Sequence, residues 1–529
     1  MSQIVETAQT EIISILPLNN VAYTPGQKCI FLLEPDLGLI KAARGESYLA
    51  ITVRNDSTNL RWMFAHSGQC LIQDVAVFSI ATGQQLEQIS NYNQIMMILD
   101  QYGNVVKDTQ QSLEGMVAEP YALEYTGGVA GAVQRRRVWG DGSADYVMNS
   151  ITSPIQEDGT LIPLGYQICI PLKLGIFSCF QEEKLTPVMS LGGLRIEITL
   201  APVQPTCVPI SPYVNGVVYD MVGTPVAGSA GVPVVQGSAL DTLWLQGTNT
   251  VEQTGLTVGQ TIQFESGVSS QSTTITALGV SGAAGTCIQI TTADACNTGG
   301  VSGRFQTLAT TWQANLSYAI DDIQFRVLRV VPTDGSVLSL SKPLSYAFRT
   351  VTTFFDSIPT GERRHQTEIF SVSSRAKSIM AMIFDSTLED DDNAPAYYRG
   401  TDPDTLNLNS VQFFINNRLY PLQAYDPRRQ QDRPQTLNEL QKAFSAMGTP
   451  AMSFGDASGY NLDSYSNVFL VCRELARDSG GNYVYDLRSA QPSIRLGFSA
   501  TRTNIQKVNT FVWEDRVVEV NGAGMAVII

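Results

Sequence analysis

The chain is predicted to be all-β: two jelly-roll β-sandwiches in tandem, with a few short helices and a β-rich insertion in the first. Three observations predict this. Short runs alternate apolar and polar side chains, most clearly in LRIEITLAP. There Leu194, Ile196, Ile198 and Leu200 share one face, and Arg195, Glu197 and Thr199 the other, as in a half-buried strand with one wet face. The order of such runs in the first part of the chain recurs in the second. A helical pattern falls at the same place in both orders.

Taken from the N-terminus, residues 1–20 read as an arm with some apolar content. Strand-like runs follow at Lys28–Glu34, Ser47–Asn55 (SYLAITVRN) and Cys70–Ile80 (CLIQDVAVFSI), with Asp56 and Asn59 supplying loop chemistry and Ala81-Thr82-Gly83 a turn. Asn91–Tyr102 then places Tyr92, Ile95, Met96, Leu99 and Tyr102 at helical spacing, which predicts a helix packed over a sheet end. Residues 105–160 are loop-rich and hold Arg135-Arg136-Arg137, read as a solvated or interface feature, with a genome-facing contact as the alternative. Tyr166–Leu174 is an apolar strand whose Pro163 and Pro171 fit an edge or a strand end. Pro187 and the Gly192-Gly193 pair suit a turn before LRIEITLAP.

Residues 204–316 change character. From Met221 to Asn315 the chain is rich in Gly, Ser, Thr, Val and Gln and has five charged residues, Asp241, Glu252, Glu265, Asp294 and Arg304. Alternations such as TIQFES and CIQITT predict a small all-β insertion, after which Ser317–Val330 resumes the earlier strand style. The second half then repeats the first. CLIQDVAVFSI, turn and helix recur as Asn409–Asn417, RLYPL and a helix at Leu437–Met447. Thr436 and Glu439 have capping-box spacing, Leu437, Leu440, Phe444 and Met447 form the apolar face, and Gly448 can end it. YQICIPLKL is echoed by Ser466–Leu475, LRIEITLAP by Ser493–Thr501, and DDIQFRVLRV by Asn509–Val520. Residue identity between the halves is weak, so the repeat is one of structure. The expected domains are 1–335, an N-terminal jelly roll carrying the 204–316 insertion, and 336–529, a C-terminal one.

Composition narrows the function. A chain of 529 residues exceeds what one core supports. With 43% hydrophobic residues it is not disordered on a large scale. A formal charge of −15 argues against a protein gripping nucleic acid over a broad face, and favours a surface that repels copies of itself until specific contacts form. MSQIVETAQTEIISIL lacks the basic region and long apolar core of a signal peptide, and no stretch reaches the roughly 18–20 apolar residues of a membrane span. The eight cysteines are scattered without a CxxC, several within apolar strands (KCIFLLE, NVFLVCREL), which fits folding in a reducing, intracellular compartment. Cys287 and Cys296 are close enough in sequence to pair.

With these blocks in order, the chain resembles major capsid proteins of the double jelly-roll lineage, which includes adenovirus hexon, virophages, polinton-like viruses and large nucleocytoplasmic DNA viruses. The resemblance to virophage and polinton-like virus proteins is strongest. It is carried by SYLAITVRN followed by CLIQDVAVFS, by YQICIPLKLGIF and LGGLRIEITLA, by VQFFINNRLYP leading into a helix, and by VNTFVWEDRVVEVNGAGMAVI. It implies a virion protein forming homotrimers, pseudo-hexagonal tiles that build an icosahedral shell around double-stranded DNA. The implied partners are the chain itself, penton proteins and minor capsid proteins, with genome contact left to others. Residues 204–316 have no placed counterpart and would be an outward tower or an intersubunit clasp.

Chemistry is sparse. No residue is assigned a catalytic, cofactor-binding or metal-ligating role, no cofactor is expected, and HExxH, P-loop, GxSxG and EF-hand patterns are missing from the sequence. The two histidines, His66 and His365, leave little for a metal site or a triad. Glu389-Asp390-Asp391-Asp392-Asn393 could bind a hard cation but reads better as a solvated loop. Arg363-Arg364-His365 and Arg428-Arg429 with Arg433 read as loop and salt-bridge residues at subunit contacts rather than DNA contacts. Gly522-Ala523-Gly524 loosely resembles a maturation-protease site and reads more simply as a tight turn. Two rival readings stand beside the capsid one: a β-rich adhesin whose 204–316 region binds a glycan, and a cupin-like or glycoside-cleaving enzyme.

Overall fold

The computed structural model describes residues 9–43, 45–56, 61–64, 67–102, 165–181, 184–210, 317–331, 344–371, 373–386, 406–429, 431–447, 469–475, 485–488, 490, 492–520 and 526–528, with short strands at 123–124, 134–135 and between 219 and 307. Sixteen strands and two helices form the frame. In the first half these are β1 (Gln9–Ile15), β2 (Lys28–Leu33), β3 (Tyr48–Asn55), β4 (Ile72–Ser79), β5 (Gln85–Ser90), α1 (Tyr92–Tyr102), β6 (Gly165–Pro171), β7 (Leu194–Leu200) and β8 (Tyr318–Val331). In the second they are β9 (Leu344–Ile358), β10 (Arg364–Glu368), β11 (Ala376–Asp385), β12 (Leu408–Ile415), β13 (Arg418–Tyr425), α2 (Arg433–Ala446), β14 (Val471–Glu474), β15 (Ser493–Phe498) and β16 (Gln506–Val520).

The hydrogen-bonded orders make the repeat explicit. The first half forms one sheet β1-β8-β3-β6 and a second β2-β7-β4-β5. The second half forms β9-β16-β11-β14 and β10-β15-β12-β13. Each strand of the first half thus has its counterpart eight strands later, and each half has the two four-stranded sheets of a jelly roll. Every pairing is antiparallel, and the β9–β16 register runs unbroken from Leu344↔Val520 to Ile358↔Gln506. Leu39–Lys41 and Thr186–Pro187 extend the first sheet, and Ala526–Ile528 pairs with β16. Between residues 219 and 307 a separate seven-stranded antiparallel sheet forms, matching the all-β insertion read from sequence.

Alternation explains how each sheet closes on a core. On β7 the buried residues are those at 194, 196, 198 and 200, and the wet face is occupied by Arg195 stacked on Phe78 and Glu197 paired with Lys28 at 2.8 Å. Across the first sandwich Phe31 of β2 meets Phe325 of β8, ring centroids 5.9 Å apart, and Phe177 stacks on the same ring. Gly192 and Gly193 both have positive φ, the conformation their turn requires.

Several expectations need correction. Within the segment read as an arm, residues 9–15 form a ladder strand on β8. Cys70 and Leu71 belong to a 3-10 turn, Gly68–Leu71, opened by the Ser67 hydroxyl accepting from the Gln69 amide, and strand β4 begins at Ile72. Helix α2 starts a turn earlier than its spacing predicts. Asp432 stands at its N-cap, Pro434 in its first turn, and Thr436 Oγ1 bonds back to the Asp432 carbonyl. Glu439 is drawn away from a capping role by Arg473 at 2.8 Å and Lys442 at 3.2 Å. The predicted apolar face, Leu437, Leu440, Phe444 and Met447, is buried as expected. Gly448 lies outside the described residues.

Candidate functional site at the junction of the two sandwiches

Among the described residues no group of His, Cys, Asp or Glu could hold a metal ion. His66, Arg136, Arg137, the 389–393 acidic run, Cys296 and the 522–524 glycines lie outside the described residues, and of Arg135, Cys287 and Arg433 only the backbone is described. His365 is part-buried, its Nε2 3.0 Å from Asp356 and its Nδ1 3.1 Å from Glu362. Arg428 holds Asp426 through two nitrogens at 3.1 Å, and Arg429 reaches the same carboxylate at 3.5 Å. Arg363, just before β10, and Arg364, its first residue, are exposed. These are contacts between neighbouring strands and loops, not a convergent site. Among the described residues Cys29, Cys70, Cys169, Cys179, Cys207 and Cys472 form no disulfide. Burial pushes Cys29 up to about 11 and Cys179 up to about 12, which keeps both protonated and unreactive.

A set of buried polar contacts lies where the two rolls meet. Strand β5 packs against β9 without a shared ladder. At its centre the fully buried Glu87 of β5 accepts from the Gly175 amide (2.9 Å), the Ile176 amide (3.0 Å) and the Thr350 hydroxyl of β9 (2.5 Å). Burial pushes the Glu87 carboxyl above its ordinary range, opposed by these three donors. Around it, Tyr346 of β9 donates to the Ile176 carbonyl at 2.8 Å, and Gln181 donates to the Ala347 carbonyl at 3.1 Å. Thr353 Oγ1 donates to the Ser90 carbonyl at 2.8 Å, and Asn509 Nδ2 to Gln94 Oε1 of α1 at 2.6 Å. Phe180 meets Trp513 edge-on at 5.1 Å, beyond the polar set.

Two local features let the rolls approach. Gly175 sits so close to β9 that a Cβ would collide with the Arg349 carbonyl oxygen. On the β9 side, Arg349 is held by Asp515 at 2.7 Å and by the Met447 carbonyl at the end of α2, and buried Lys377 lies 3.4 Å from the same Asp515. The strand that carries Thr350 and Thr353 is thereby braced from its own roll. A cleft of about 490 Å³ opens beside the junction, between Asn91 of the first roll and Phe355, Asp356, Phe384 and Lys507 of the second. The sequence reading gave none of these residues a junction role; Glu87 and Thr350 are 263 positions apart.

No protein-family model matches the chain, and no curated protein matches it in sequence. Solved structures similar to it include the Faustovirus major capsid protein, at 9% identity over 96% of this chain and 90% of that one, with a TM-score of 0.49. The Sputnik virophage structure is similar at 11% identity over 99% and 89%, TM-score 0.49. The PBCV-1 virus capsid model is similar at 9% identity over 98% and 97%, TM-score 0.48.

Proposed function

We propose that the chain is a major capsid protein, a self-assembling tile of the icosahedral shell of a double-stranded DNA virus, and a component of the virion. One observation carries this reading: two jelly rolls with the same strand order, locked side by side through a buried polar junction. A jelly roll presents repeated sheet edges, and a chain that fixes two of them in one orientation supplies a rigid unit with two similar faces. Three such chains make six rolls, a tile of pseudo-hexagonal outline, and closed rotational symmetry satisfies every face at once. Obligate contacts within the tile are expected to bury thousands of Å², and weaker ones join tiles. The charge of −15 keeps tiles apart in solution until those contacts form, and leaves the genome to other proteins.

On this reading residues 1–335 and 336–529 are the two rolls, and 204–316 is an insertion carried on the tile as a projection or clasp. Penton and minor capsid proteins are the expected further partners. Electron microscopy of the purified protein tests the proposal. Hexagonal tiles with six density lobes, alone or in sheets, are the expected result. Isolated particles of a single two-lobed chain, with glycan binding by the 204–316 region, would replace it with the adhesin reading.

A further inference from the structure

The 204–316 insertion leaves and rejoins the first roll at one neck. The outgoing chain passes from β7 through a short helical turn, Val203–Thr206, into a strand, Cys207–Ile210, which pairs with Arg61–Phe64 in the register Cys207↔Phe64. The returning chain enters β8 at Tyr318, whose hydroxyl donates to the Ala201 carbonyl at 2.5 Å. The outgoing chain is also tied to the 3-10 turn Gly68–Leu71. The Ala201 amide donates to the Leu71 carbonyl at 2.8 Å, and the Thr206 hydroxyl donates to the Cys70 carbonyl at 3.1 Å.

Two buried cysteines come together at this neck. Cys70 and Cys207 are both 0% exposed. Cys70 Sγ donates to the Thr206 carbonyl oxygen at 3.5 Å, and that carbonyl is half of the peptide link to Cys207. Burial pushes the Tyr318 hydroxyl well above its ordinary value, and Cys207 and Cys70 add to the shift, so both thiols lie by one phenol. A disulfide spans Cα atoms about 4.4–6.8 Å apart, a reach that one peptide link and one 3.5 Å contact fit. Other cysteines are turned elsewhere. Cys179 faces the carbonyls of Ala42, Leu172 and Phe177, and Cys29 meets the Tyr23 hydroxyl. The sequence hides the pair, because Thr206 and Cys70 are 136 positions apart.

We infer that Cys70 and Cys207 are a latent disulfide, a lock that closes across the neck when the protein meets a small-molecule disulfide such as oxidised glutathione. One cysteine, as thiolate, attacks the oxidant, forms a mixed disulfide and releases one reduced thiol. The second thiolate displaces the other half, leaving the Cys70–Cys207 bond and a second reduced thiol. The two cysteines give up two electrons and two protons, and the oxidant's S–S bond takes both. The bond ties the outgoing strand of the insertion to the frame, beside the returning strand held by Tyr318. Both sulfurs are buried, so exchange proceeds when the neck opens, and the closed bond is shielded from reductants. The timing of the lock rests on the capsid reading: a virion folded in a reducing cell meets oxidising surroundings on release.

The test uses the full wild-type chain, purified in dithiothreitol and then held in oxidised glutathione, with N-ethylmaleimide labelling after unfolding, protease digestion and mass spectrometry. The oxidised chain is expected to take two labels fewer than the eight of the reduced chain, and to yield one linked peptide pair, Cys70 with Cys207. Its melting temperature is expected to rise by about 3 °C and to fall back with dithiothreitol. Cys70→Ala and Cys207→Ala, each verified as folded by circular dichroism, should lose both the linked pair and the rise. Eight labels after oxidation, or linkage of other cysteines without this pair, overturns the lock and leaves the capsid reading standing. A linked pair with no rise in melting temperature overturns the bracing role. A linked pair in a chain that stays monomeric overturns the timing on release and leaves the chemistry in place.

Discussion

At Glu87 donors from two rolls converge on one buried carboxylate, and removing it strands two amides and a hydroxyl away from water. An unsatisfied buried donor costs about 1–3 kcal/mol, so Glu87→Ala is expected to lower stability in urea by about 3 kcal/mol. The pH dependence has a definite sign. The folded carboxyl lies above its ordinary value of 4.5, so its ionisation costs the folded state most above the folded pKa. Wild type should therefore gain stability relative to the alanine variant as pH falls from neutral toward that value. A parallel pH profile for the two proteins would contradict this. Asp515 offers a second probe, because Arg349 pairs with it at 2.7 Å and the fully buried Lys377 lies 3.4 Å from it. Asp515→Ala removes the carboxylate that Arg349 meets at 2.7 Å and should cost about 3–5 kcal/mol by urea unfolding, while removing exposed Asp486 from Arg488 should change nothing measurable. None of these residues was legible in the sequence. The role of Glu87 comes from partners far along the chain, Gly175 at 88 positions and Thr350 at 263, and no local spacing records that.

Among the elements, legibility follows the pattern of burial. Strands with one wet face, such as β7 and β4, show alternation and were placed within a residue or two. Strand β11, AKSIMAMIFD, is buried on both faces, so it has no alternation to read. Strand β9 hid behind Thr and Arg residues that serve the other roll and the Asp515 brace. Strand β1 reads as an arm because Ile12 faces outward and Gln9–Glu11 are exposed. The connection after β6 is the element on which docking turns. Gly175→Ala should force the loop away from the Arg349 carbonyl and cost the about 1–3 kcal/mol of an overpacked site. A split melting transition, with the rolls unfolding separately, is the expected calorimetric trace; a single transition at the wild-type temperature would show that the loop yields without loosening the rolls.

For the molecule as a whole, the repeat was the strongest message in the sequence, and it was legible without residue identity. Order alone carried it: strand, turn, helix, edge strand, alternating strand, long strand, twice. The central claim is that this chain is a unit of a closed assembly rather than a finished monomer. Light scattering on the purified protein at neutral pH and moderate salt tests it most directly. The account predicts a mass three times the 57.5 kDa of the chain, stable on dilution. A monodisperse species of 57.5 kDa under the same conditions would contradict it.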